Sequence, residues 1–276
     1  MRMNLSPPDP ITLLVASLLS IFSLLLAFPP AAKAQTLPAA LPHPPLQQQF
    51  AGDPTPPSHP LSTSFSSVTT TQPAVIRYAP IGDSYSIGEG ASATESWPAR
   101  LAQHLTTNGN GRTVRLVANP SRTGWTTQQA IDLELPVWRA ARPEFASLQI
   151  GVNDWVQGVN EITFQQRLRL LLDEMQKVLP ASNRLFLVTI PDFSVTPTGA
   201  RYSGGRDIAR GLTAFNEIIR HEAATRGLTC VDVFPLSQKM KNDPALVAPD
   251  GLHPSAKEYA LWEKLIYPEA QRMLGP

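Results

Sequence analysis

Ser84 stands in the run Gly82-Asp83-Ser84-Tyr85-Ser86, and His253 in Asp250-Gly251-Leu252-His253-Pro254. A serine hydroxyl is too weakly acidic to attack an ester unaided, so it needs a base within hydrogen-bond reach. His253 is the best base available: from residue 74 onward the only other histidines are His104 and His221, and both fall in helical patterns. Ser255-Ala256-Lys257-Glu258 is a capping-box pattern that starts a helix two residues after His253, and Pro254 stiffens the backbone between. Asp250, three residues before His253 in a glycine-containing turn, can reach back to the imidazole, fix its tautomer and stabilise the imidazolium. The bland readings are a turn serine at Ser84 and a turn or helix cap at Asp250.

Acyl transfer also needs donors aimed at the developing oxyanion. The Ser84 N–H is one candidate. Gly124, in Asn119-Pro120-Ser121-Arg122-Thr123-Gly124, offers a second, since a residue without a side chain lets substrate approach its N–H. The Asn153 side-chain amide, in Gly151-Val152-Asn153-Asp154, is the third. An ordinary loop glycine and an ordinary turn asparagine remain the competing readings.

These segments must be brought together by the elements around them. Val75–Tyr78, Thr113–Val117, Phe145–Ile150, Arg184–Ile190 and Leu228–Val233 are short β-branched or apolar runs that read as strands. Between and after them lie helical patterns. Phe164, Leu168, Leu171, Leu172 and Met175 share one face, Ile208, Leu212, Phe215 and Ile219 a second, and Tyr259, Trp262, Ile266 and Ala270 a third. Weaker helices span about 98–105 and 127–141, the latter interrupted by Pro136. Alternation of this kind implies βαβ units and an α/β domain with a parallel sheet. All four polar segments follow strands, so they meet at the edge where open α/β sheets bind ligands.

The residues resemble a known family. Gly82-Asp83-Ser84, the segment ending in Gly124, Gly151-x-Asn153-Asp154 and Asp250-x-x-His253 look like the four blocks of the SGNH (GDSL-type) hydrolases, in the same order. The resemblance implies a three-layer α/β/α flavodoxin-like sandwich with a five-stranded parallel sheet. It also implies an esterase with Ser84 as nucleophile, His253 as base, Asp250 as orienter, and Ser84, Gly124 and Asn153 as oxyanion donors. Tyr85 departs from the family's first motif, which often has Leu there. The family's substrates include lipids, lysophospholipids, thioesters, aryl esters and acetylated glycans, so the expected partner is a small acyl-ester substrate, with no cofactor and no metal.

Other classes fit less well. The net charge of +1 removes the argument for a nucleic-acid partner, and the single cysteine, Cys230, excludes an internal disulfide and a cysteine-built zinc site. Gly88-Glu89-Gly90-Ala91-Ser92-Ala93 loosely matches a dinucleotide motif, but the second strand closes on Ala118-Asn119 without the acidic residue that would hold a ribose. Position 86 is Ser, so Ser84 is not in a G-x-S-x-G elbow, and a P-loop is absent. A non-catalytic glycan- or lipid-binding module and an acyltransferase on the same fold are the remaining alternatives. The sixteen-residue stretch 191–206 is long for a βα connection and is expected to shape specificity or move. Tyr202, Trp125 and Trp155 are candidates for pocket lining, with core packing the competing reading.

The N-terminal quarter has a different composition. Ile11–Phe28 carries no charge, and Ala32-Lys33-Ala34 follows as a small-x-small cleavage pattern, so residues 1–34 read as a signal peptide and the domain as exported, secreted or held in the cell envelope. The apolar run is longer than the usual ~7–15 residues, and an uncleaved anchor would bring membrane contact. Residues 35–73 hold nine prolines and no apolar periodicity, and read as a disordered linker before a hydrolase domain at 74–276.

Overall fold

The computed structural model describes residues 75–109 and 111–275; the signal-peptide and linker segments lie outside the described residues. Five strands, β1 (Val75–Gly82), β2 (Thr113–Leu116), β3 (Phe145–Gln149), β4 (Leu185–Val188) and β5 (Thr229–Val231), form one parallel sheet in the order β2-β1-β3-β4-β5. The helices are α1 (Ser84–Ile87), α2 (Trp97–Thr107), α3 (Thr127–Gln129), α4 (Leu135–Ala140), α5 (Val152–Val156), α6 (Glu161–Val178), α7 (Ile208–Thr225), α8 (Phe234–Ser237) and α9 (Ala256–Leu274). Helices α2 and α9 pack together in one layer, and α4, α6 and α7 pack in succession in the other. This is the three-layer α/β/α arrangement expected from the sequence.

The strand patterns explain the layering. All five residues of β3 and all four of β4 are buried, as befits strands covered on both faces. Trp97, Trp262 and Tyr259 fill one side, Trp138 and Phe164 the other, and Phe186 meets both Trp97, edge-on, and Phe145, tilted at 5.5 Å. Rings of Phe164 and Phe215, 4.4 Å apart, join α6 to α7.

Strand β1 runs four residues beyond the Tyr78 end read from the sequence, straight through Pro80. A proline inside a central strand normally forfeits a ladder bond. Here the Tyr78 carbonyl accepts from Val117 N–H, so Pro80, two residues on, faces the same side where β2 has already ended. The missing N–H therefore costs nothing, and the strand carries on to Gly82. The weak helix at 127–141 also differs in detail. A π turn, Ala130–Glu134, precedes α4, and Pro136 sits in the first turn of α4, where no N–H is needed.

In a sheet of this order the chain reverses direction between β1 and β3, and the crevice beyond those two strand ends is the expected ligand site. Ser84 follows β1 and Asn153 follows β3.

Candidate active site

Gly82 closes β1 so tightly that a Cβ there would stand 2.1 Å from Ser86 Oγ and 2.5 Å from the Gln149 carbonyl oxygen. Only glycine fits. Asp83 then caps α1, accepting from the Tyr85 N–H at 3.0 Å, and Ser84 begins the helix. Gly88 ends it with φ +86°, so the nucleophile candidate sits on one tight helical turn between two glycines.

The opposite wall is the turn before α9. Asp250 Oδ1 accepts from the N–H groups of Leu252 and His253 at 2.9 and 3.0 Å, and Oδ2 accepts from His253 Nδ1 at 2.6 Å. Ionised Asp250 can only accept, so Nδ1 carries the hydrogen and Nε2 is left free. Partial burial works against the Asp250 charge, but the hydrogen bonds from His253 and the two N–H groups outweigh it and hold the carboxyl below its ordinary range. The His253 ring lies edge-on to Tyr85 at 6.1 Å. Tyr85 also meets Trp262 of α9 at 5.8 Å, which explains an aromatic after Ser84: it fills the space between the Ser84 turn and His253.

Ser84, Asn153 and His253 line one small cavity of about 100 Å³, together with Val152, Val156, Phe193 and Leu252. The Ser84 hydroxyl has no hydrogen-bond partner among the described residues, and shares the cavity with His253 without bonding to it; such contacts commonly tighten only when substrate is bound. The Asn153 amide donates one hydrogen to the Trp125 carbonyl at 2.9 Å, which leaves the other available to the cavity. Gly124 is not part of the cavity wall. It stands exposed with φ +83°, open space where a Cβ would be, and its carbonyl accepting from Gln157 at 3.3 Å. The bond from Asn153 to the next residue, Trp125, ties this loop to α5.

Other expectations resolve differently. Trp155 is core: it is buried, with the Arg206 guanidinium 4.1 Å above its ring. Trp125 is half-buried and does not line the cavity. Tyr202 does line it, and is 44% exposed at the rim. The stretch 191–206 is fastened at both ends. The Asp192 N–H donates to Ser237 Oγ at 2.7 Å, and Arg206 donates to the Trp155 and Val156 carbonyls at 2.6 and 2.9 Å. Asp154 is no surface turn residue: fully buried, it accepts from Thr127 N–H and Oγ1 at 2.7 and 2.5 Å and caps α3.

Two site residues escaped the sequence reading. Thr198 donates both its N–H and its hydroxyl to the Gly251 carbonyl, each at 2.9 Å, and so braces the turn that carries Asp250 and His253. Glu134, fully buried on the π turn, accepts from the Gly82 N–H at 3.0 Å. Neither carries a motif, because each acts across more than fifty residues. Among the described residues no group of three or more His, Cys, Asp or Glu side chains is gathered as a metal site.

A parallel 2-1-3-4-5 sheet with a serine after its first strand and an Asp–His pair before its last helix is the framework of a hydrolase of the SGNH type. The chain matches the GDSL-like Lipase/Acylhydrolase family over residues 81–261 and belongs to it. It is 31% identical over 120 residues to a multidomain esterase of Ruminococcus flavefaciens, covering 42% of this chain and 14% of that much longer protein. It is 26% identical over 175 residues to thioesterase 1/protease 1/lysophospholipase L1 of Escherichia coli (strain K12), covering 63% of this chain and 74% of that one. The family 3 carbohydrate esterase of Clostridium thermocellum superposes with a TM-score of 0.56 at 21% identity, over 73% of this chain and 100% of that one, a likeness of fold.

Proposed function

We propose that the chain hydrolyses carboxylic esters through an acyl-enzyme on Ser84. The carrying observation is that Ser84, Asn153 and His253 line one cavity while Asp250 holds the Nδ1 side of the imidazole. His253 Nε2 takes the hydroxyl proton as Ser84 attacks the carbonyl, then returns it to the departing alcohol. Water, activated by the same Nε2, releases the acid. The oxyanion is met by the Ser84 N–H and the free Asn153 amide hydrogen, with the Gly124 N–H as the third donor that the resemblance to the family implies.

The substrate reading follows from the cavity. About 100 Å³ is the room of roughly three waters at ~30 Å³ each, well below the ~300 Å³ at which drug-sized ligand sites begin. With Val152, Val156, Phe193 and Leu252 as walls, it suits an acetyl or similarly short acyl group. A separate, larger cavity of about 440 Å³ is lined by Ile87, Glu89 and residues 119–123, and its Glu89, Asn119, Ser121, Arg122 and Thr123 side chains suit a hydroxyl-bearing alcohol. The carbohydrate esterase among the structural relatives accords with this reading.

Ser84→Ala is expected to fold and to lose p-nitrophenyl acetate hydrolysis to background, and a fluorophosphonate probe is expected to label the parent but not the variant. Retention of a tenth of the activity would overturn the nucleophile. An acyl series from acetyl to dodecanoyl on one leaving group tests the short-acyl reading, and product analysis with a sugar acceptor tests hydrolysis against acyl transfer. We also propose that residues 1–34 direct export and 35–73 tether the domain; N-terminal sequencing of the exported protein beginning near Gln35 is the expected outcome.

A further inference from the structure

Two buried carboxyls flank the Ser84 turn, and the proposed mechanism uses neither. Asp83 is 1% exposed and Glu134 0%. Each has one oxygen engaged by a backbone N–H of the turn: Asp83 Oδ1 by Tyr85 and Glu134 Oε2 by Gly82, both at 3.0 Å. Each has the other oxygen, Asp83 Oδ2 and Glu134 Oε1, buried without a partner. An ionised carboxylate needs both oxygens solvated or bonded, and these satisfy neither condition. A proton on the orphaned oxygen removes the charge and leaves the engaged oxygen free to accept.

The surroundings favour that state. Burial pushes both groups up to about 8, and the Asp83 charge works further against that of Glu134. The groups facing them supply little positive charge. Asp154, after β3, raises Asp83 further, and its own cation, Arg167 of α6, stands 3.7 Å from Asp154. Tyr85 on the turn and Tyr259 of α9 are pushed upward by burial and by the Asp83 charge.

Glu134 reaches the turn because of local backbone geometry. Across the π turn the Leu135 N–H bonds back to the Ala130 carbonyl, a wider loop than an α-helix makes. The side chains of Asp132 and Leu133 are exposed while Glu134 points inward, in line with Leu135 and Trp138. Trp138 fixes this segment to β1 by donating to the Ala79 carbonyl at 2.9 Å. Such turns occur frequently at functional sites.

We propose that Glu134 is a positioning residue for Ser84: its uncharged carboxyl, anchored on the π turn, holds the Gly82 N–H and fixes the turn that presents the serine hydroxyl and N–H. This rests on Ser84 as nucleophile, and the test separates the two. Glutamine keeps the acceptor and replaces the O–H by an N–H; alanine removes both.

In Glu134→Ala, kcat for p-nitrophenyl acetate is expected to fall at least tenfold with KM within twofold, while Glu134→Gln stays within threefold of the parent at pH 6.5. The infrared carbonyl band of a protonated carboxylic acid, present in the parent at pH 6.5, is expected to weaken in Glu134→Gln. A folded Glu134→Ala with unchanged kcat would overturn the positioning role. If the alanine variant does not fold, Glu134→Gln decides: loss of activity like that of a destroyed site, or an unaltered acid band, would overturn the proposal. Failure of the Ser84 reading would show instead as activity in Ser84→Ala, and would leave the infrared result untouched.

Discussion

Two aspartates stand beside the two halves of this site, and their environments differ in every respect. Asp83 lies next to Ser84 in full burial, with one oxygen unpartnered and its carboxyl pushed up to about 8. Asp250 lies next to His253 in a turn open to solvent, with both oxygens engaged and its carboxyl held low. Ser84 is held by close packing around a carboxyl that burial drives toward its uncharged form. His253 is held by hydrogen bonds to a charged one. One fold thus runs both modes within one site, because environment rather than residue type sets the state of a carboxyl.

The contrast is most directly broken at Asp250. Asp250→Asn keeps the shape but cannot enforce the Nδ1–H tautomer, and is expected to lower kcat by about 10²–10⁴ with the fold intact. A loss under tenfold would mean that the turn, not the charge, orients His253. Asn153→Ala comes next, with an expected fall of about 10²–10³ in kcat and little change in KM. Because Asn153 also ties down the Trp125 carbonyl, melting temperature must be read on the same sample. Lost stability with unchanged kcat would assign the residue to the loop alone.

On the packed side, Gly82→Ala must push aside Ser86 and the Gln149 carbonyl, and is expected to cost about 1–3 kcal/mol by denaturant unfolding. On the hydrogen-bonded side, Thr198→Val removes one of two bonds to Gly251 and is expected to cost only about 0.5–1.5 kcal/mol.

Opposite pH dependence sharpens the same comparison. Asp83 and Glu134, raised in the folded state, stay protonated while the unfolded chain has already released their protons. From about pH 4 to pH 8, then, the folded state binds more protons, and stability falls as pH rises. Asp250, lowered when folded, contributes stability above its unfolded value that is lost as pH drops through the folded one. Asp83→Asn is expected to flatten the decline of melting temperature between pH 5 and 8, and Asp250→Asn to leave that limb unchanged.

Local chemistry made the base turn legible in the sequence. Asp250, Gly251, His253 and the cap at Ser255 lie within six residues, and each bond among them is short-range. The strands and long helices were legible for the same reason, since burial imposes a period on the chain. What stayed hidden acts over distance. Nothing near Glu134 in the chain signals that it will meet Gly82, and nothing near Thr198 signals Gly251. The sequence reading ends β1 at Tyr78, yet the strand runs on through Pro80, which the shortness of β2 makes harmless. Trp155 carried two readings, and the stacking of Arg206 from fifty-one positions away decided for the core.

The order of parts along the chain has a consequence in time. Ser84 and His253 are 169 positions apart, and the base turn is braced by α9, which follows it. At synthesis rates of about 5–20 residues per second, the serine emerges roughly 8–34 s before the histidine. Through that interval the nascent chain carries Ser84 without His253. On the proposed mechanism, catalytic competence is conferred late, by the docking of α9 and the turn in front of it, and a chain halted before Ala256 is expected to be chemically silent however well its first strands have folded.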